Sequence, residues 1–87
     1  MAQPRNAMAD EHAIRCTLDA EMAVRGMTNP ELQSLTGISL PTIRRLRKNH
    51  FTAIDCRVLT LLCKSLDLQV EDLLQYDPSA LLPDLKE

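Results

Sequence analysis

An 87-residue chain holds one domain with a single modest core, too small for a deep substrate cleft together with the scaffold to shape it, so an enzyme is disfavoured from the outset. Aromatic residues are 2% of the chain against 45% hydrophobic, Gly and Pro number two and five, and no signal peptide or membrane-spanning run of roughly 20 apolar residues stands out, which predicts an aliphatic, helical, cytoplasmic protein. The formal charge of −2 divides sharply, because residues 28–57 carry Arg44, Arg45, Arg47, Lys48 and Arg57 against Glu31 and Asp55, whereas residues 58–87 carry two cations against six acids, and a local positive field attracts phosphate whatever the total.

Residues 1–12 (MAQPRNAMADEH) are polar, contain a proline and show no period, and they read as an N-terminal arm. Ile14, Cys16 and Leu18 then alternate like a short strand, while Leu18, Met22 and Val24 to Arg25 fit a helix that Thr17 is placed to cap and Gly26 to end. A short extended segment running into a first helix is expected.

Asn29-Pro30-Glu31 marks the next helix start. Asn caps orphan amides, Pro in the first turn loses no hydrogen bond, and Glu complements the helix dipole. Leu32, Leu35 and Thr36 are expected to face inward, and Gly37 to stop the helix after about two turns by taking a positive φ. Ser39 is placed to cap a third helix, three positions before Thr42. Two short helices joined by a Gly-containing turn of three or four residues form a helix-turn-helix pattern.

On that third helix the 100° periodicity puts Ile43 and Leu46 together toward the core and Pro41, Arg45 and Lys48 on the opposite side, flanked by Leu40 and Arg44. Arg47 lies only about 40° from Ile43 on the wheel, where packing its stem or pairing with an acid competes with binding phosphate.

In DCRVLTLLCKSLDL the residues Val58, Leu59, Leu61, Leu62, Cys63 and Leu66 leave only Arg57, Thr60 and Lys64 as a polar stripe, which predicts a central, buried helix. Val70, Leu73 and Leu74 predict a final helix ending by Asp77 and Pro78. The three cysteines, Cys16, Cys56 and Cys63, form no CxxC pair and stand at no metal-ligand spacing to His12 or His50, so buried, reduced thiols are expected rather than zinc. Ser34, Ser39 and Ser65 lack a His and carboxylate arrangement, and no glycine-rich phosphate loop exists; neither catalysis nor a cofactor is expected. The tail, residues 78–87 (PSALLPDLKE), is unusually apolar through Leu81, Leu82 and Leu85. Closing the core, pairing with the extended piece at 14–18 and forming a dimer contact all remain open for it.

The stretch ELQSLTGISLPTIRRLRKNHFTAIDCRVLTLLCKSLDLQVEDLL resembles the lambda-repressor-like (Cro/XRE) helix-turn-helix family, whose order and spacing of elements residues 27–76 match. Leu32, Gly37, Ile38, Ile43 and Leu46 stand at the family's structural positions. The resemblance implies an all-α bundle of about five helices over residues 13–77, with a recognition helix, about residues 40–48, entering the major groove of double-stranded DNA. By position it would bring Ser39, Leu40, Pro41, Thr42 and Arg45 nearest base edges, with Arg45 able to fork onto guanine O6 and N7 and with Leu40 and the Thr42 methyl able to meet thymine methyls. Asn29 matches a position that touches backbone phosphate, and Arg44, Arg47, Lys48 and His50 would neutralise phosphate without reading sequence. Two residues depart from the family pattern: Gln33 replaces a small residue where two helices approach, and Pro41 replaces a polar side chain used on bases.

A DNA-binding transcriptional regulator, acting as a repressor and as a homodimer, is therefore the leading expectation. An antitoxin whose tail or acidic half binds a toxin while the domain represses its own promoter is a second. A protein-interaction module with a helix-turn-helix that no longer reads DNA is a third.

Overall fold

Capping chemistry sets the helix ends in the structure, a computed structural model that describes residues 12–80. Helix α1 (Leu18–Arg25) stops at Gly26, whose φ of +63° closes the last turn. Helix α2 (Asn29–Thr36) starts from Thr28 rather than Asn29. The Thr28 hydroxyl accepts the Glu31 N–H at 3.2 Å and the Glu31 carboxylate accepts the Thr28 N–H at 2.8 Å, a reciprocal box that satisfies two orphan donors and shifts Asn29 to the first helical position. Gly37, at φ +80°, ends α2, and the Ser39 hydroxyl opens helix α3 (Leu40–Arg47) by accepting the Thr42 N–H. Pro41 sits in the first turn of α3, where its missing N–H breaks no bond. Asp55 caps helix α4 (Cys56–Leu66), and a four-residue helix α5 (Val70–Leu73) follows.

The extended piece at the N-terminal side is strand β1 (Ile14–Cys16), and its partner is strand β2 (Leu74–Tyr76), antiparallel, with Arg15 opposite Gln75. The final helix is therefore shorter than its periodicity predicts: Leu74 takes φ −117° and ψ +130° and leaves it. A four-residue helix has little cooperativity of its own, whereas pairing with β1 satisfies backbone groups of both segments. Thr17 joins that pairing. Its N–H donates to Leu73 O and its hydroxyl to Asp72 O, both at 2.8 Å, so the side chain expected to cap α1 ties the start of α1 to the end of α5 instead.

Because Thr17 N–H bonds to Leu73 O and Asp77 N–H to Ala13 O, the odd-numbered residues of β1 face β2 and the even-numbered ones face its other edge. That edge is closed by side chains. Asn49 accepts the Cys16 N–H at 2.6 Å and donates to Cys16 O at 3.4 Å, His12 Nδ1 accepts the Ile14 N–H, and the Arg15 guanidinium donates to Ile14 O. His12, assigned above to the arm, is thus seated on the fold, its Nε2 bonded to Phe51 O and its ring tilted on the Phe51 ring. Asn49 also holds φ +60°, a left-handed conformation that Asn tolerates better than most residues. Asn49→Ala is expected to cost about 2–3 kcal/mol of unfolding free energy, since it strands two buried-edge backbone groups and strains the turn; Asn49→Gly, which keeps the conformation, is expected to cost less in the same urea titrations.

Every helix contributes to the core. Leu18 and Met22 of α1, Leu32 of α2, Ile43 of α3, Leu62 of α4 and Leu73 of α5 are fully buried, joined by Cys16, Ile38, Leu46, Phe51 and Leu66. Burial pushes the Cys16 thiol up in pKa, opposed by a hydrogen bond from the Leu18 backbone. Inward assignments on α2 and α4 are corrected. Leu35 is 56% exposed, because α2 turns only Leu32 squarely into the bundle. Helix α4 buries Leu62 and Leu66 alone, while Val58, Leu59, Leu61 and Cys63 are half-buried and Cys56 is exposed. Its Cys56–Cys63 flank, with Leu59, Leu68 and Val70, lines a shallow recess of about 620 Å³ that no other element covers among the described residues. The apolar tail residues Leu81, Leu82 and Leu85 lie outside the described residues, and Pro78–Ala80 form one 3₁₀ turn.

Candidate nucleic-acid interface

The helix-turn-helix is α2, the turn Gly37–Ser39 and α3. Thr36 locks the turn from within: its hydroxyl donates to Leu32 O at 2.8 Å and accepts the Ile38 N–H at 3.1 Å, which drops the buried Ile38 side chain into the core between the two helices. With Ile43 and Leu46 anchored below, α3 turns Pro41, Arg44, Arg45 and Lys48 to solvent. Gln33, on α2, is half-buried, so its longer side chain is accommodated beside the bundle rather than within the core.

Among the base-facing candidates, Ser39 is exposed, but its hydroxyl both accepts the Thr42 N–H and donates to Thr42 Oγ1 at 2.9 Å. That arrangement leaves the Thr42 hydroxyl proton to donate elsewhere. Leu40 is half-buried against the core, with part of its side chain committed to packing. Arg45 is exposed and shares a recess of about 310 Å³ with Thr42, Leu46, Phe51, Ile54 and Val58, so it stands beside the loop that leads to α4.

The candidates for phosphate converge from separate parts of the chain. Asn29, Arg44, Arg47 and Lys48 line one recess of about 300 Å³, together with Asp19 of α1. Among the described residues Arg44, Arg45 and Lys48 enter no ion pair, so their charges are uncompensated locally. Arg47 is engaged differently: its Nε donates to Asp19 Oδ1 at 2.7 Å, its Nη2 lies 2.6 Å from the same oxygen, and its Nη1 donates to Asn29 Oδ1 at 2.6 Å. His50 is half-buried just past α3, its N–H bonded to Arg45 O.

Asp19, Thr28 and Asn49 carry weight here that the sequence reading did not assign. Thr28 had a readable signal, since Thr-Asn-Pro-Glu is a capping-box spacing. Asp19 had none: an acid in the first turn of a helix is ordinary, and its partner is 28 positions away. Among the described residues no His, Cys, Asp and Glu cluster suits a metal ion, and no helix is long and apolar enough to cross a membrane.

Comparison with known proteins agrees with this geometry. The family model for the Cro/C1-type HTH DNA-binding domain matches residues 17–79. The uncharacterized HTH-type transcriptional regulator YozG of Bacillus subtilis (strain 168) is 33% identical over 64 residues, which cover 74% of this chain and 76% of that protein. The helix-turn-helix geometry and these matches agree, and the chain belongs to the Cro/C1-type (Cro/XRE-like) helix-turn-helix DNA-binding family.

Proposed function

We propose that the protein is a sequence-specific transcriptional regulator that represses by occupying an operator, with residues 40–48 in the major groove, acting as a homodimer in the cytoplasm. The observation that carries this reading is the division of α3 into a buried side, Ile43 and Leu46, and a solvent side bearing Arg44, Arg45 and Lys48 without ion-pair partners among the described residues. Cations left uncompensated beside a helix-turn-helix suit a polyanion, and the relative named as a transcriptional regulator supports the biological role.

Within this reading Arg45 reads a base with its guanidinium fork, and Thr42 donates its hydroxyl or offers its methyl. Ser39, Leu40 and Pro41 shape the contact, Ser39 and Leu40 with side chains already committed in part to the fold. Asn29, Arg44, Lys48 and His50 hold phosphate. A two-fold dimer favours a pseudo-palindromic site with half-sites about one helical turn apart.

Selection from a random duplex pool at near-physiological salt tests the proposal, run in parallel with Arg44→Ala/Arg45→Ala. Enrichment of a half-site by the natural protein and its loss in the variant is the expected result, with symmetry in the enriched sequence reporting the dimer. Equal, weak binding by both proteins without enrichment would overturn it in favour of a partner-binding module.

A further inference from the structure

Arg47 shares a recess with Arg44 and Lys48, yet its guanidinium is spent on two protein groups, Asp19 of α1 and Asn29 of α2. Only 27% of its side chain is exposed, against 62% for Asp19. One side chain of α3 thereby fastens both preceding helices. An exposed ion pair adds little stability in itself, so orientation is the more consequential product of the contact.

The orientation follows from donor and acceptor inventory. A guanidinium has five donors and no acceptor, so the Asn29 atom that faces Arg47 must be Oδ1. The Nδ2 amide is then turned away from Arg47 as a donor. Asp19 completes the arrangement by accepting from Nε and pairing with Nη2, which leaves Nη1 as the arm that reaches Asn29. Asp19 also offsets the charge of Arg47, so the positive field of the shared recess comes from Arg44 and Lys48.

We infer that Asp19 and Arg47 are positioning residues, which fix the Asn29 amide so that its Nδ2 donates to a DNA phosphate oxygen in the recess shared with Arg44 and Lys48. This rests on the DNA-binding reading above and adds a role for an acid at a phosphate site. It also reverses the sign expected from charge alone. Removing an acid beside DNA ordinarily tightens binding, whereas here it frees Arg47 and releases Asn29.

The test measures the full chain on the duplex enriched by selection, by fluorescence anisotropy over a salt series, with thermal melts confirming that each variant is folded. Asp19→Asn and Arg47→Lys are each expected to weaken binding about five- to tenfold, because Lys keeps the charge but lacks the fork. Adding Asn29→Ala in either background is expected to cause no further loss, although Asn29→Ala alone weakens the natural protein. A fold-only role for the pair would leave Asn29→Ala its full additive loss, and that result overturns the inference. So would tighter binding by Asp19→Asn, or natural affinity in Arg47→Lys with a salt slope reduced by about 0.9 in Arg47→Ala, the signature of a direct phosphate ligand. If Arg44→Ala and Arg45→Ala also leave binding unchanged, the DNA-binding reading itself has failed, an outcome distinct from one in which those variants lose affinity and Asp19→Asn does not.

Discussion

Arg45→Ala is expected to lower affinity for the selected operator by about 1–3 kcal/mol, a roughly 5- to 150-fold loss, and to relax preference at one base pair of each half-site. The side chain is exposed on α3 and has no ion-pair partner among the described residues, so truncation removes only the proposed contact to DNA and uncovers no buried charge. Arg44→Ala should behave differently. A phosphate ligand supplies affinity irrespective of sequence, so its removal should weaken all duplexes alike and reduce the slope of log K against log salt by about 0.9. Titrating both variants against the operator and its single-base-pair substitutions separates the roles. Uniform loss from Arg45→Ala would remove it from base reading and leave it with the phosphate set.

Leu62→Ala is the substitution with the largest expected effect on the fold. Leu62 is fully buried on α4 among residues drawn from the other helices, and truncating a buried leucine typically costs about 2–5 kcal/mol, the lost transfer energy plus that of the cavity. Domains of this size hold a margin of only about 5–15 kcal/mol, so the melting midpoint should fall by roughly 10 °C or more. Calorimetry at low protein concentration would check it. Leu35→Ala is the contrasting control: at 56% exposure it should shift the midpoint little, although the sequence pattern alone groups Leu35 with Leu32.

The turn of the helix-turn-helix was legible because its information is local. Gly37 takes the positive φ that its place after a two-turn helix requires, and Ser39 caps α3 three residues before Thr42. Ile43 and Leu46 point inward for the same reason, since helical periodicity alone separates them from Arg45 and Lys48. The last helix misled for the converse reason. Val70, Leu73 and Leu74 suit a helix, but Leu74 pairs with Cys16, 58 positions earlier, and that long-range pairing ends the helix at Leu73.

Local chemistry in the sequence by itself determined the short capped helices and the concentration of cations on the outer side of one of them, while the all-α bundle was what the family resemblance implied. Capping, glycine φ and a 3.6-residue period act over four or five neighbours and need no tertiary partner. Only the tertiary structure decided which of those cations remain available. Helical periodicity sets Arg47 nearer Ile43 than Arg44 and so leaves an acid partner open to it, but only packing α1, α2 and α3 together names that partner, delivering Asp19 and Asn29 to Arg47 while Arg44 stays open to solvent. A guanidinium goes to whichever acceptors the fold brings within hydrogen-bond reach, and those acceptors come from positions 28 and 18 residues away.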